Sequence, residues 1–376
     1  MNVIFTCGGT GGHINPAIAV ANIWKERHPD SNILFVGGYG GMEEHLVPKA
    51  GYELVLLPAS GMARGKSLKA MKENLRMVKN VFSGIGKCKK LIREFQPDVV
   101  IGTGGYASFP ALMAASMMGI PTCVHEANAM PGLTTRMIAD RVDRVLVCFA
   151  QSAQHYRHPD KVEVVGMPVR REFIYTRKEA ARKELGLDER PLIVSAFGSQ
   201  GARVMNEAMA DLFRLEQDAG YPYQHIHAIG SYGMDWMPER IRERGVDLTE
   251  NKGIEAREYI YDMPTVMAAA DVFISRAGAS SCNEIAASGT PCILIPSPNV
   301  TDNHQEKNAR ALEQKGAAQV LLEKDCTAEV LFESIKTLLE VPEKSIAMRK
   351  ALLSMAVPNS AERLCDILEE LAEKKE

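Results

Sequence analysis

The feature that most constrains the fold of this chain is a strand–glycine–helix unit at its start. Val3-Ile4-Phe5 is a short apolar run, Gly8-Gly9-Thr10-Gly11-Gly12 follows it, and a helical pattern begins near Pro16. Because glycines lack Cβ atoms, backbone N–H groups in such a turn can close around a phosphate at the helix N-terminus. His13 lies in this turn and is a candidate for proton transfer. The unit predicts an α/β fold that binds a phosphorylated ligand.

The same turn can also serve packing alone, since many α/β domains begin with a glycine-rich loop. It is not a dinucleotide-binding fingerprint, because Ile14 replaces the third glycine of G-x-G-x-x-G. The next apolar run ends in Gly37-Gly38, where an acid that binds ribose is expected for NAD. No Gly-Lys-Ser/Thr follows either, which excludes a Walker A loop.

Short apolar runs alternate with helical patterns along most of the chain, and this predicts parallel sheets covered by helices. Strands are expected at 2–6, 32–36, 53–57, 98–102, 121–124, 144–148, 191–197, 224–229, 271–275, 292–296 and 318–322. Helices are expected at 41–50, 67–95, 107–118, 201–219, 280–288 and 303–315.

The length of 376 residues predicts two domains. The alternation pauses at 149–190, so we place the boundary near Gly166. The expected domains are 1–165 and 166–344, and a C-terminal helix at about 345–376 is expected to pack back on the first. Two Rossmann-like sheets of this kind would face each other across a ligand-binding cleft.

Composition excludes several classes of protein. A net charge of −3 argues against general nucleic-acid binding. Eight cysteines without a C-x-x-C pair or zinc-ligand spacing predict reduced thiols in a cytosolic protein. Met1 leads directly into a strand without the pattern of a signal peptide, and no apolar run reaches the roughly 18 residues that a membrane helix needs.

The second half repeats the opening unit twice. The run 193–197 leads into Gly198-Ser199-Gln200-Gly201, and the run 272–275 leads into Arg276-Ala277-Gly278 and a helix carrying Glu284. The dipole of that helix would favour a carboxylate, which could accept hydrogen bonds from both hydroxyls of a ribose or simply begin a helix. Asp302 could likewise be an N-cap and nothing more. No Asp-x-Asp occurs, so we expect backbone N–H groups and helix dipoles, rather than a metal, to stabilise a leaving phosphate.

Residues 64–93 form a basic amphipathic segment. They carry ten Lys and Arg residues against the single acid Glu73, with apolar residues interleaved at spacings of three and four. Such a segment can lie on an anionic membrane surface, or it can be a core-facing helix with a solvated basic face. Gly84 and Gly86 predict a break into two helices.

Six motifs together resemble glycosyltransferase family 28, from residue 1 to about residue 316 and on toward the end. They are Gly8-Gly9-Thr10-Gly11-Gly12-His13, Gly104-Gly105-Tyr106, His125-Glu126-Ala127-Asn128-Ala129, Gly166-Met167-Pro168-Val169-Arg170, Gly198-Ser199-Gln200-Gly201-Ala202 and Arg276 through Ala286. The resemblance implies the GT-B architecture, with UDP-GlcNAc on the C-terminal domain and a lipid-linked acceptor on the N-terminal domain. It implies inverting transfer of GlcNAc to the MurNAc 4-hydroxyl of undecaprenyl-diphospho-MurNAc-pentapeptide, giving lipid II.

The same resemblance implies roles for individual residues and for partners. His13 would be the base, and the helix N-terminus would keep it neutral, while Tyr106 is a weaker candidate on the acceptor side. The donor-binding residues would be Thr10, Gly11, Gly12, Asn128, Arg170, Ser199, Ile260, Ala279, Ser280, Ser281, Cys282, Asn283, Glu284 and Gln305. The protein would act without a cofactor as a peripheral protein on the cytoplasmic face of the bacterial plasma membrane, near the cell-wall and division machinery.

Two departures and two alternatives remain. Phe109 stands where the family often has glycine and would narrow a loop that faces the acceptor, and Cys282-Asn283 replaces smaller residues. The chain could instead be another GT-B enzyme acting on a UDP-sugar, such as a UDP-GlcNAc 2-epimerase or a glycolipid glycosyltransferase. It could also be a non-catalytic UDP-GlcNAc sensor, which would not need His13.

Overall fold

The computed structural model describes residues 1–58, 67–248 and 253–373, which divide into two compact units. Met1–Val169 and the segment that begins at Asn359 form the N-terminal unit, and Arg170–Pro358 forms the C-terminal unit.

Each unit is built on a parallel sheet. In the N-terminal unit the described strands are β1 (Asn2–Thr6), β2 (Asn32–Gly38), β3 (Glu53–Leu57), β4 (Val99–Gly102), β5 (Thr122–Glu126), β6 (Arg144–Val147) and β7 (Val162–Val164). In the C-terminal unit they are β8 (Leu192–Ala196), β9 (Gln224–Ala228), β10 (Ile254–Arg257), β11 (Val272–Ser275), β12 (Cys292–Leu294) and β13 (Gln319–Val320). The orders are β3-β2-β1-β4-β5-β6-β7 and β10-β9-β8-β11-β12-β13. In both sheets the order in which strands are added therefore reverses next to the first strand, β1 or β8, as in Rossmann folds.

Helices connect the strands. Those of the N-terminal unit are α1 (Gly11–Arg27), α2 (Glu43–Lys49), α3 (Leu68–Phe95), α4 (Ser108–Met117), α5 (Leu133–Ile138) and, from the end of the chain, α15 (Ser360–Glu373). Those of the C-terminal unit are α6 (Glu172–Tyr175), α7 (Lys178–Glu184), α8 (Arg203–Asp218), α9 (Met237–Glu243), α10 (Met263–Ala269), α11 (Ala279–Ser288), α12 (His304–Glu313), α13 (Ala328–Glu340) and α14 (Pro342–Met355). Short 3₁₀ turns lie at Ala150–His155, Pro159–Lys161, Thr301–Asn303 and Glu323–Asp325.

Alternation along β1 assigns the two faces of the N-terminal sheet. Val3 and Phe5 belong to a core cluster with α1 and α15, whereas Ile4 belongs to a cluster with α3 and α4. Because successive side chains of a strand point to opposite faces, both faces of this sheet are buried. The carboxyl-end loops are thus left as its ligand-accessible edge.

The boundary between the units lies after Val169, four residues later than expected. The extra residues stay with the N-terminal unit because Val165 and Gly166 both donate to the carbonyl of Val147, the last residue of β6. The carbonyl of Gly166 also accepts a hydrogen bond from His125 Nε2 at 2.8 Å.

The expected helix at 345–376 is two helices that belong to different units. α14 packs on α11 and α13 in the C-terminal unit, and only α15 packs on α1. Pro358 lies between them and cannot donate a helical hydrogen bond. α15 buries Leu364, Ile367 and Leu368 in the N-terminal core.

The expected break at Gly84 and Gly86 is wrong, because α3 runs without interruption from Leu68 to Phe95. A Cβ atom at Gly84 would lie 3.1 Å from Cβ of Pro110 on α4. The glycine therefore allows α3 and α4 to approach closely, and the packing outweighs the helix propensity cost of about 1 kcal/mol.

The described part of α3 has two apolar faces. Gly84, Cys88 and Ile92 face the core. Met71, Leu75, Val78 and Phe82 form an exposed stripe on successive turns and are 62%, 72%, 44% and 71% exposed. The core-facing alternative is thus wrong for this stripe. Residues 64–66 of the amphipathic segment lie outside the described residues.

β7 and β10 were not expected from the sequence. Both are short strands at the edges of their sheets, and charged residues alternate with apolar ones in each. No described helix is long and apolar enough to cross a membrane.

Candidate active site

The predicted site residues lie in loops at the carboxyl ends of the strands in each unit. In the N-terminal unit Thr10–His13 follow β1, Tyr106 follows β4, and Asn128 follows β5. In the C-terminal unit Ser199 follows β8, Ile260 follows β10, Ala279–Glu284 follow β11, and Gln305 follows β12. This edge is where open α/β sheets bind ligands.

His13 is held at the first turn of α1 by the loop after β4. Its Nδ1 lies 3.0 Å from the carbonyl oxygen of Thr103, and the Thr103 hydroxyl donates to the carbonyl of His13 at 2.7 Å. A carbonyl oxygen can only accept, so Nδ1 carries the proton and Nε2 is left as the acceptor nitrogen. This tautomer is the one that a general base at Nε2 requires.

Two glycines let the loop after β4 reach the glycine loop after β1. Gly104 has φ +114°, and a Cβ atom there would lie 2.3 Å from Nδ1 of His13. Gly105 has φ +87°, and its Cβ would lie 2.4 Å from the carbonyl oxygen of Gly8. Both the backbone conformation and the space demand glycine, so the motif Gly104-Gly105 is explained by contact with His13 and its loop.

Asn128 is oriented by a buried carboxylate that sequence reasoning missed. Glu126 is 4% exposed; one of its oxygens accepts from the backbone N–H and the side-chain amide of Asn128, both at 3.0 Å. Its other oxygen accepts from the N–H of Gly132 at 2.9 Å. The amide oxygen of Asn128 is therefore turned away from Glu126.

Backbone contacts hold the loop after β8. The N–H groups of Ser231 and Tyr232 donate to the carbonyls of Ser199 and Gln200 at 3.3 and 3.2 Å. A Cβ at Gly201, which has φ +78°, would lie 2.1 Å from the carbonyl oxygen of Ile229. Ser199 itself is exposed.

Glu284 lies on the second turn of α11 and is half-buried. Desolvation raises its pKa to about 7, and the Arg170 guanidinium opposes this rise. Burial therefore disfavours the charged carboxylate more strongly than the favourable charge of Arg170 stabilises it. A carboxyl with this pKa can change its protonation state near neutral pH when a ligand binds.

Other members of the predicted donor set use their polar groups within the protein. The Asn283 amide donates to the carbonyl of Ala279 at 2.8 Å, and the N–H of Cys282 donates to the carbonyl of Gly278 at 2.9 Å. Cys282 is 1% exposed, and burial raises its thiol pKa to about 12. Its thiol therefore faces the core, unlike the half-buried side chains of Ser280 and Ser281.

The position of Gln305 follows from an unusual backbone conformation at the residues just before it. Asp302 and Asn303 both have φ +52°, a left-handed conformation that Asp and Asn tolerate better than most residues. Gln305 Oε1 accepts from the N–H of Ser297 at 2.9 Å, which directs its amide NH₂ group away from that contact.

Arg276 is a further residue that sequence reasoning did not assign. It forms an ion pair with Glu323, donates to the carbonyl of Ile295 at 3.1 Å and lies 6.0 Å from the ring centroid of Phe197. It therefore joins the carboxyl ends of β8, β11 and β12. Its place next to a glycine turn was visible in the sequence, but its partners were not.

The remaining predicted residues differ in exposure. The side chain of Ile260 is 2% exposed, which leaves its backbone as the group that can meet a ligand, and Tyr106 is 54% exposed. Phe109 is half-buried and packs against the core cluster that includes residues of α3 and α4. Among the described residues, no group of three or more His, Cys, Asp and Glu side chains could hold a metal.

Comparisons with known proteins match both units of the chain. Residues 3–147 match the glycosyltransferase family 28 N-terminal domain, and residues 192–364 match the glycosyltransferase family 28 C-terminal domain. The chain is 41% identical to a UDP-N-acetylglucosamine--N-acetylmuramyl-(pentapeptide) pyrophosphoryl-undecaprenol N-acetylglucosamine transferase from Acetivibrio thermocellus, over 100% of this chain and 99% of the relative. It is 38% identical to the enzyme of the same name from Bacillus cytotoxicus, over 100% of both.

Solved structures show the same architecture. The crystal structure of Acinetobacter baumannii MurG aligns with a TM-score of 0.77 and 25% identity, covering 98% of this chain and 99% of that one. A UDP-GlcNAc 2-epimerase from Neisseria meningitidis bound to UDP-GlcNAc aligns with a TM-score of 0.67 at 17% identity, over 98% and 100%, which shows the shared two-domain α/β fold alone. With both of its units matched and full-length relatives near 40% identity, the chain belongs to glycosyltransferase family 28.

Proposed function

We propose that the protein transfers GlcNAc from UDP-GlcNAc to the MurNAc 4-hydroxyl of undecaprenyl-diphospho-MurNAc-pentapeptide, giving lipid II. Relatives at about 40% identity over the whole chain carry this activity in their names. The observation that carries the proposal is His13, whose Nδ1 is engaged by the Thr103 carbonyl while Nε2 remains an acceptor. That arrangement suits a base that acts on a hydroxyl group.

The chemistry is a single in-line displacement with inversion. Nε2 of His13 accepts the proton of the acceptor 4-hydroxyl while that oxygen attacks the anomeric carbon of GlcNAc, and UDP departs with the bonding electrons. General base catalysis of this kind contributes typically 10²- to 10⁴-fold to a rate. The bond to Thr103 holds the ring in place and stabilises the imidazolium that forms.

The C-terminal unit supplies the donor site in this proposal. Glu284 accepts hydrogen bonds from the ribose hydroxyls, Ser199 donates to a phosphate oxygen, and the backbone of Ile260 meets the uracil. The N–H groups at the first turn of α11 have no partner within the helix and face the departing diphosphate. Arg170, Asn128, Gln305 and Thr10–Gly12 complete the contacts that the family resemblance assigns to UDP-GlcNAc.

The reaction is tested by UDP release from UDP-GlcNAc in the presence of EDTA, with and without a soluble lipid I analogue. Release that depends on the acceptor, together with a disaccharide product, supports the transferase and shows that it needs no metal. Release without acceptor, or formation of UDP-ManNAc, contradicts the transferase and favours a hydrolase or an epimerase. Tight UDP-GlcNAc binding without turnover favours a sensor.

We also propose that α3 binds an anionic membrane surface. Its exposed stripe of Met71, Leu75, Val78 and Phe82 is flanked by Lys72, Arg76 and Lys79, which are exposed as well. Apolar residues that insert shallowly, next to cations that meet lipid headgroups, are typical of peripheral membrane helices. The protein would thereby reach its lipid-linked acceptor from the cytoplasmic face of the plasma membrane, where the cell-wall and division machinery would be its neighbours.

Vesicle binding tests the membrane surface. Leu75→Ser with Phe82→Ser should abolish sedimentation with phosphatidylglycerol vesicles while leaving turnover of a soluble acceptor analogue unchanged. Ile346→Ser, at a residue on α14 that is 65% exposed, is the matched control for losing an exposed apolar side chain. Wild-type binding by the double variant would contradict this assignment of α3.

A further inference from the structure

A buried carboxylate beneath the first glycine loop has no part in the mechanism above. Glu43, the first residue of α2, is 1% exposed. One of its oxygens accepts from the N–H of Gly9 at 3.0 Å, and the other accepts from the N–H of Gly38 at 2.9 Å. Glu43 thereby ties the loop after β1 to the last residue of β2.

The surrounding backbone leaves space for this side chain and for little else. Cβ atoms at Gly8, Gly37 and Gly41 would lie 2.7, 2.6 and 2.1 Å from atoms of Glu43. Within the residues that the structure describes, no cation forms an ion pair with it. A buried carboxylate of this kind depends on its N–H donors, which the two glycines supply.

We infer that Glu43 is the positioning residue of the loop that carries His13. Its carboxylate accepts hydrogen bonds from backbone N–H groups on both sides of the loop's base, so the loop is already ordered before any substrate binds. The N–H of Gly9 is consequently committed to Glu43, and the N–H groups that this loop leaves for a substrate lie further along, at Gly11 and Gly12. The inference deepens the proposed function, since it names what sets the base against the acceptor.

Glu43→Gln tests this directly. The amide keeps the shape of the side chain but turns one acceptor oxygen into an NH₂ group, which then faces a backbone N–H. The loop must shift, and because misplacement by about 1 Å can cost about 100-fold in rate, we expect kcat to fall about 10- to 100-fold. UDP binding, which the proposal assigns to the C-terminal unit, should not change.

Glu44→Gln is the matched control. Glu44 is the next residue of α2 and accepts from the N–H of Gly40 at 2.6 Å, outside the loop that carries His13. It loses the same charge from the same helix, so its kcat should stay at the wild-type value.

Gly41→Ala keeps the experiment informative if Glu43→Gln does not fold. Its Cβ would lie 2.1 Å from a carboxylate oxygen of Glu43, so it displaces the acid without removing the charge. The expected result is again a lower kcat with unchanged UDP binding. In both variants the ¹⁵N resonances of the His13 ring should move, and in Glu44→Gln they should not.

Wild-type kcat and unmoved His13 resonances in Glu43→Gln or Gly41→Ala would overturn the inference. So would a fall in kcat matched by an equal loss of UDP binding and a lower melting temperature, because that pattern indicates general destabilisation. A wild type that transfers no GlcNAc contradicts the proposed function alone, since the ring resonances still report whether Glu43 positions His13.

Discussion

The two sheets share a strand order, but their first loops are held in opposite ways. In the N-terminal unit the loop after β1 is bonded to the internal carboxylate of Glu43, and the loop after β5 is bonded to that of Glu126. In the C-terminal unit the loop after β8 is held by backbone carbonyls that accept from Ser231 and Tyr232. The loops of the N-terminal unit are thus held by buried carboxylate side chains, whereas the loop of the C-terminal unit is held by hydrogen bonds between main-chain groups.

The difference teaches how one topology can serve two tasks. Internal carboxylates order the loops around His13 and Asn128 without substrate, which suits a base that must be placed accurately. Main-chain contacts leave exposed Ser199 and the N-terminus of α11 available for an outside anion. The ionisable group at the second predicted site, Glu284, has a raised pKa, and we propose that it responds to a ligand instead of ordering a loop.

The strongest test of the N-terminal side is His13→Ala. Loss of the base should lower kcat about 10²- to 10⁴-fold, because no other group takes the acceptor proton. UDP binding should be unchanged if that binding is carried by the C-terminal unit. Isothermal calorimetry and the UDP-release assay measure the two quantities. Equal losses in both would contradict the division of labour between the units.

The corresponding test of the C-terminal side is Glu284→Ala. Hydrogen bonds to a charged group contribute about 1.5–3 kcal/mol, so UDP should bind roughly 10- to 100-fold more weakly. Hydroxyl donors favour the ionised form of Glu284, whose pKa is about 7. The affinity of the wild type for UDP should therefore decrease as the pH is lowered below 7. Glu284→Gln should lack that pH dependence, and a variant that kept it would show that another group titrates.

A buried network that joins β8, β9 and α8 gives a smaller, measurable effect. Ser195 Oγ lies 2.7 Å from both His225 Nε2 and His227 Nδ1, and His225 Nδ1 lies 2.7 Å from Glu216 Oε1. Burial, and then His225, lower the pKa of His227 to about 3, against about 6.5 in an unfolded chain. Between these values the unfolded state binds more protons, so the free energy of unfolding decreases as pH falls.

His227→Asn keeps an acceptor or donor near Ser195 but does not titrate. Its free energy of unfolding, measured with urea from pH 7 to pH 4.5, should depend less steeply on pH, by up to about 1.4 kcal/mol per unit. His155→Asn, at an exposed histidine of the N-terminal unit, should keep the wild-type slope. An unchanged slope in His227→Asn would show that this network does not contribute to acid lability.

The smallest effect concerns the packing that supports the N-terminal loops. Gly86 is exposed, and a Cβ there would have no atom within 4 Å, so Gly86→Ala should stabilise α3 by about 0.5–1 kcal/mol. Gly84→Ala should stabilise the protein less than Gly86→Ala or destabilise it, because its Cβ would lie only 3.1 Å from Cβ of Pro110. Thermal unfolding of the pair measures the difference. Equal stabilisation by both would contradict close packing of α3 on α4.

The alternation of apolar runs was sufficient to predict both sheets, because central parallel strands such as β1 and β8 are buried on both faces and read as continuous apolar runs. An edge strand such as β7 is not a continuous apolar run, because a charged residue interrupts it, and this strand was not predicted. Gly84 led to the wrong prediction of a helix break because helix propensity is a local property. The glycine is instead explained by close packing against Pro110 on another helix.

Site positions were predictable where a glycine turn follows a strand, but their holding contacts were not. The bond between Gly9 and Glu43 spans 34 residues, and that between His13 and Thr103 spans 90. Nothing in the local pattern of either partner specifies the other. The raised pKa of Glu284 was likewise not predictable, since the helix dipole can be inferred from sequence position whereas desolvation depends on the folded surroundings.

The helix α15 has a consequence for the order in which the chain is made. Leu364, Ile367 and Leu368 fill the core beside Trp24 on α1, yet a whole unit of sequence separates the two helices. About 330 residues separate the end of α1 from the start of α15, so at synthesis rates of about 5–20 residues per second the apolar face of α1 waits about 17 to 67 seconds for this partner. The first unit to leave the ribosome is therefore the last to complete its core.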